Sequence, residues 1–197
     1  LISFIKKIFI KKYKSNLKVI CIGNLTIGGT GKTPFAIYIY KILKKIGYKP
    51  VFLTRGYKGL LKGPVEVKDT HNFEKVGDEA ILLSKVGPTI VSKDRLLGAK
   101  LIENHEENFN IIIMDDGLQN YQLEQDIKFL LIDKNLKFGN EYCIPAGPLR
   151  EPVNQGLKKV DALILTGNNY LKDTNFRNID IAIFNSETKI IKSPKIK

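Results

Sequence analysis

"GNLTIGGTGKTP", residues 23–34, follows a short apolar run and opens a helical one. Glycines at 28, 29 and 31 let backbone N–H groups curl around a phosphate without side-chain obstruction. Lys32 has the reach to hold terminal phosphates, and Thr33 places a hydroxyl for Mg²⁺. Pro34 falls in the first helical turn, where its missing N–H costs nothing. Thr26 stands where the usual phosphate-loop pattern has its opening glycine, but Gly31, which governs backbone approach to the phosphates, is kept. The candidate cradle is therefore Thr26, Ile27, Gly28, Gly29, Thr30, Gly31, Lys32 and Thr33. The plainer alternative is a glycine-rich turn that caps a helix.

Working outward, short apolar runs alternate with longer periodic ones. Strands are expected at 17–22, 50–54, 89–92, 109–115, 127–133, 161–166 and 179–184, and helices at 32–46, 78–85 and 94–106. In the helix after the glycine loop, Phe35, Tyr38, Ile39, Ile42, Leu43 and Ile46 form the expected apolar face. A Gly- and Lys-rich loop is expected from 55 through Gly77. "FNIIIMD" (109–115) is nearly continuous in apolar residues, as strands covered on both faces are. The pattern predicts an α/β fold, a P-loop NTPase-like and mostly parallel sheet flanked by helices, with ligands at the carboxyl ends of the strands.

"IIIMDDG" (111–117) ends its strand on two carboxylates. Asp115 is the natural magnesium partner through water, and Asp116 shares that task or orients a neighbour. Alone, two acids at a strand end would read as a polar turn; with the phosphate loop upstream they specify a nucleoside triphosphate with Mg²⁺. The Asn-Lys-x-Asp motif that reads guanine is missing, since "TGNNYLKD" (166–173) has the wrong spacing.

The 197 residues suffice for one domain with a real core, and the formal net charge of +12 favours anionic partners. Charge alone does not choose among nucleic acid, acidic lipid and a phosphorylated substrate. Cys21 and Cys143 lie far apart in no metal-ligand spacing; Cys21, inside a strand-like run, reads as a core residue of a reduced compartment. No run of 18 apolar residues is present to span a bilayer. "LISFIKKIFIKKYK" (1–14) gathers Leu1, Ile2, Phe4, Ile5, Ile8 and Phe9 on one helical side and Lys6, Lys7 and Lys11 on the other. Residues 1–16 are thus expected as an amphipathic membrane-surface helix, with 17–197 as the catalytic domain. A helix packed on the core and a signal-peptide remnant are the other readings of that segment.

The blocks "VICIGNLTIGGTGKTP", "LTRGYKG" (53–59), "VGDEAILL" (76–83), "KDRLLGA" (93–99), "MDDGLQN" (114–120) and "IPAGPLREP" (144–152) occur in this order. Over about residues 1–185 the chain resembles the tetraacyldisaccharide 4′-kinase, or lipid A 4′-kinase, family. The resemblance implies ATP-dependent phosphorylation of the 4′-hydroxyl of an acylated glucosamine disaccharide 1-phosphate, giving lipid IVA. It also implies a peripheral enzyme on the cytoplasmic face of a Gram-negative inner membrane, with anionic lipid and not nucleic acid as its surface partner. Carried over by motif, Asp78 of the "GDE" block becomes the base beside Lys32, with Thr33, Asp115 and Asp116 at the metal. Without the resemblance Asp78 would be an ordinary first-turn acid. Arg150 offers a fork matched to phosphate oxygens, and Arg55 and Tyr57 stand where sugar or phosphate would be touched.

Two departures accompany the resemblance. Asn120 replaces the histidine common in the family's "DDGLQH" block. The family's C-terminal Asp-His-His motif, whose histidine assists the base, has no counterpart, and neither His71 nor His105 matches it. A chain incomplete at its C-terminus is therefore expected. A membrane-anchored nucleotide switch and a remnant that only binds nucleotide are the competing readings.

Overall fold

The computed structural model describes residues 12–167 and 181–187. Eight strands form one sheet: β1 (Lys18–Gly23), β2 (Pro50–Thr54), β3 (Val65–Glu66), β4 (Thr89–Val91), β5 (Ile111–Asp115), β6 (Ile127–Asp133), β7 (Ala162–Thr166) and β8 (Ala182–Ser186). Their spatial order is β3-β4-β2-β5-β1-β6-β7-β8, and every pairing is parallel except that of β3 with β4. The connecting helices are α1 (Lys32–Lys45), α2 (Phe73–Val76), α3 (Asp78–Ser84), α4 (Arg95–Glu103) and α5 (Val153–Leu157).

The central strands are buried on both faces, and their side chains alternate between two cores. Val19, Cys21, Val51, Leu53, Ile112 and Met114 face the core that holds Ala99 and Ile102 of α4. Ile20, Ile22, Phe52, Ile111 and Ile113 face the other, under Phe35, Ala36 and Tyr40 of α1. Cys21 is wholly buried, and burial pushes its thiol up to about 12, so it is an inert core residue. Among the described residues no helix is long and apolar enough to cross a membrane.

The face of α1 differs from the expected one. Tyr38, Ile42 and Ile46 are exposed, and the buried stripe is Lys32, Phe35, Ala36 and Tyr40, with Ile39 and Leu43 partly buried beside it. Tyr40 stacks on Phe52 at 4.7 Å between ring centroids, which turns α1 so that Tyr40 and not Tyr38 meets the sheet. The loop expected between 55 and Gly77 carries β3 and α2, both too short to show a period.

Residues 1–11 of the expected N-terminal helix lie outside the described residues. Residues 12–16 are not helical: Tyr13 bridges to Leu123 in parallel, and its hydroxyl and that of Ser15 donate to Glu103. Backbone pairing satisfies these groups locally, so a helix through residue 16 is corrected to an extended stem.

At the carboxyl edge of the sheet β1 and β5 run side by side, Ile22 opposite Asp115. A Cβ on Gly23 would come within 2.5 Å of the Leu118 Cβ and 3.1 Å of its amide nitrogen, so glycine permits the two strand-end loops to touch. Gly23→Ala is expected to destabilise the protein by about 1–3 kcal/mol through overpacking against backbone that cannot retreat. Urea unfolding checks it; an unchanged midpoint would show that the two loops part without penalty.

Candidate active site

The glycine loop connects β1 to α1. Gly31 caps α1 in the left-handed region (φ 80°), and Gly28 is also at positive φ (126°). No side chain caps the helix and no acid stands in its first turn, so its leading N–H groups face the loop, as an anion requires. A Cβ on Gly28 or Gly29 would meet nothing within 4 Å, leaving open space over the cradle. Two neighbours the sequence did not single out support the loop. The Thr166 hydroxyl donates to the Thr30 carbonyl at 3.1 Å, and the buried Asn24 amide donates to the Gly28 carbonyl at 3.3 Å. The stretch leading into the loop is pinned to the "PAGPL" segment: Ile27 N–H donates to Pro148, Arg150 N–H to Leu25, and Thr26 bridges to Leu149.

Lys32 is 8% exposed, and its ammonium lies 3.8 Å from Asp116 Oδ1. The same carboxylate oxygen accepts a 2.8 Å hydrogen bond from Arg150 Nη1. Asp116 reaches both cations because its backbone sits in the left-handed region (φ 53°), a conformation that aspartate tolerates better than bulkier residues. Asp116 is thus the counter-ion of both Lys32 and Arg150.

Asp115 is 1% exposed. Its Oδ2 accepts from the Thr33 hydroxyl at 3.0 Å, while its Oδ1 has no partner. Burial pushes its carboxyl up to about 7, Glu79 and Asp116 adding to the rise and the Thr33 bond and Lys32 opposing it. An unpaired carboxylate oxygen beside a threonine hydroxyl fits a hard divalent cation. Among the described residues no group of three or more His, Cys, Asp or Glu side chains could hold a metal. An ion here would rest on Thr33 and Asp115 and take its remaining ligands from phosphate and water, as Mg²⁺ commonly does.

Beside these groups, Ile27, Asp116 and Arg150 line a cleft of about 520 Å³ at the carboxyl ends of the strands. Arg55 and Tyr57 line it after β2, and Arg150 does so after β6. Asn120 lines it too, while its Oδ1 accepts from the Gln122 and Leu123 N–H groups, so it serves the turn as well as the wall. Asp78 begins α3 as an exposed residue; its neighbour Glu79 lines the cleft, and burial holds the Glu79 carboxyl above its ordinary range. His71 and His105 accept backbone N–H bonds in their own turns, away from the cleft lining.

Lys93 and Arg95 complete a basic end that the sequence reading missed. Arg95 is 3% exposed, donates through Nη1 to the Ser92 carbonyl, and leaves Nε unpaired. Burial, with Arg55 nearby, pulls its guanidinium down to about 10. Lys93 and Arg95 both lie in the "KDRLLGA" block, but only the turn between β4 and α4 shows that Arg95 is buried at the cleft.

The model of the family described as tetraacyldisaccharide-1-P 4′-kinase matches residues 2–195. The chain belongs to that family. The tetraacyldisaccharide 4′-kinase of Paramagnetospirillum magneticum is 45% identical over 158 residues, covering 80% of this chain and 48% of the relative. LpxK from Aquifex aeolicus, solved in complex with ATP, superposes with a TM-score of 0.76 at 32% identity, over 91% of this chain and 57% of that one. The signal recognition particle 54 kDa protein from Aeropyrum pernix K1, in complex with GDP, shares the fold at 16% identity and a TM-score of 0.54. The chain spans about half the length of the curated relatives it matches.

The buried Asp115 carboxyl makes a testable mark on stability. Its folded pKa lies above the ordinary 3.8, so its contribution is fullest below that value and is lost as pH rises through about 7. In EDTA, the stability gain from Asp115→Asn should grow by about 2 kcal/mol between roughly pH 5.5 and pH 8. Chemical denaturation at the two pH values measures it. A gain that is flat or shrinks with pH would contradict the assigned burial.

Proposed function

We propose that the protein transfers the γ-phosphate of ATP to the 4′-hydroxyl of a tetraacyldisaccharide 1-phosphate, producing lipid IVA at the cytoplasmic face of the inner membrane. The observation that carries this reading is the one cleft lined both by Asp116, the counter-ion of the phosphate-loop Lys32, and by the basic Arg55–Lys93–Arg95 end. A kinase needs two anion-binding places side by side, one for the nucleotide and one for a phosphorylated acceptor.

Phosphoryl transfer asks the protein mainly for positioning and charge neutralisation. The loop amides from Gly28 to Thr33 wrap the β- and γ-phosphates, and the Lys32 ammonium follows the charge that moves to the leaving oxygen. Asp116 holds that ammonium in place beforehand, which limits reorganisation during the reaction. Arg150 meets the transferred group with a planar fork. Mg²⁺, held by Thr33 and Asp115, supplies neutralisation of the phosphate oxygens when bound. Asp78, at the start of α3, is the group to accept the proton of the acceptor hydroxyl, beside Glu79, whose carboxyl burial holds above its ordinary range.

At the basic end, the Arg55, Lys93 and Arg95 side chains that line the cleft suit the acceptor's own phosphate. The net charge of +12 favours an anionic bilayer surface as the place where an acylated substrate is met.

The test is transfer of labelled γ-phosphate from ATP, with Mg²⁺, to tetraacyldisaccharide 1-phosphate in mixed micelles. A bis-phosphorylated lipid is expected, and Lys32→Ala should reduce its formation by at least about 10²-fold. Asp78→Ala should cut transfer while leaving nucleotide affinity nearly intact. ATP hydrolysis that ignores the lipid and yields no lipid product would overturn the reading.

A further inference from the structure

We propose that Lys159, which lies outside every motif of the site, is a positioning residue that keeps Arg150 turned toward the phosphates by neutralising Glu151. The inference rests on the phosphate-site reading above and deepens it. Lys159 follows α5 in the turn that leads to β7. Its ammonium donates to both Glu151 oxygens at 2.7 Å and to the Leu118 carbonyl at 3.3 Å. Glu151 is only 7% exposed.

From this pair a continuous chain of contacts runs to the phosphate-loop lysine. Gln119 Nε2 donates to Glu151 Oε1 at 3.0 Å and to the Asn24 carbonyl at 3.0 Å. Gln119 Oε1 accepts from Arg150 Nη1 at 3.3 Å, and the same Nη1 donates to Asp116, which faces Lys32. The amide of Gln119 has one workable orientation. Its nitrogen faces two oxygen acceptors and its oxygen faces a guanidinium, so a flip would turn both ends against their partners.

Glu151 is also the chain neighbour of Arg150, and that adjacency gives Lys159 its role. Without Lys159, the buried Glu151 carboxylate would keep only the neutral Gln119 hydrogen bond and lack a counter-ion beside a guanidinium, and a buried charge without one recruits one. Arg150 turning toward Glu151 would leave Asp116 to Lys32 alone and draw the ammonium off the phosphates. Lys159 therefore keeps two ion pairs separate: Lys159 with Glu151, and Arg150 with Asp116.

The experiment compares Lys159→Met, Lys159→Arg, Glu151→Gln and the double variant Lys159→Met/Glu151→Gln. It reads lipid-kinase kinetics, the affinity for a fluorescent ATP analogue, and thermal midpoints. Lys159→Met should lower kcat/KM by about tenfold or more, since small misplacements in such sites are expensive. Lys159→Arg should restore most of that loss. In the Glu151→Gln background, where no carboxylate charge competes for Arg150, Lys159→Met should add little.

Losses that multiply independently, or a Lys159→Met protein with wild-type kinetics, would overturn the proposal. So would a loss that tracks the thermal midpoint and is not rescued by arginine. Should Lys159→Met fail to fold, the double variant against Glu151→Gln alone decides: equal values support the role and a further drop overturns it. The nucleotide-affinity series needs no lipid acceptor. If the protein bound ATP yet phosphorylated no lipid, the function proposed above would fail, while non-additive affinities would still support Lys159.

Discussion

The structure depends on the parallel pairing of β1 with β5. It places Ile22 opposite Asp115, so the turn that follows each strand leaves the sheet at the same height. One turn becomes the glycine loop and carries Lys32 and Thr33; the other carries the two acids. Because Gly23 has no Cβ to strike Leu118, the turns touch, and Thr33 meets Asp115 while Lys32 meets Asp116. Neither contact is local in sequence. Both follow from hydrogen-bonded register, which the two buried faces of these strands hold against slippage.

How much was legible in the sequence depended on the length over which a signal repeats. The strands at 50–54 and 127–133 appear where their apolar runs lie, because a sheet covered on both faces needs continuous hydrophobicity. The glycine loop was legible because its spacing is itself the chemistry. Elements of two to five residues, such as β3, α2 and α5, have no period to read. The helix face was misjudged for another reason. Counting apolar residues favoured Tyr38, Ile42 and Ile46, whereas packing chose the small Ala36 and the amphipathic Tyr40, which fit against the sheet.

Within the site, the residues legible in advance were those whose motifs are contiguous. Arg55, Tyr57, Arg150 and Asp116 line the cleft, and Asp115 meets the loop through the Thr33 hydroxyl. The residues that went unnoticed act over long sequence separations: Arg95 at the basic end, Thr166 beneath Thr30, and the Gln119–Glu151–Lys159 chain behind Arg150. Lys159 falls just past the "IPAGPLREP" block and fits no pattern of its own. Such partners become visible only when the topology brings distant turns to one edge.

The placement of unsatisfied groups points the same way. Among the described residues, the buried side-chain atoms without a hydrogen-bond partner are Asn24 Oδ1, Thr30 Oγ1, Arg95 Nε and Asp115 Oδ1. All four belong to the glycine loop, the strand end beside it or the cleft, and none lies in the apolar cores. Each costs the folded chain roughly 1–3 kcal/mol, and the raised Asp115 carboxyl adds an electrostatic cost of the same kind. A protein under selection for stability alone would pair or replace them. Their concentration at one edge is what a site built to receive phosphates and a divalent cation requires. Donors and acceptors already in place before a ligand arrives need little rearrangement when it does, so the stability forgone in the free protein would return as preorganisation for the proposed transfer.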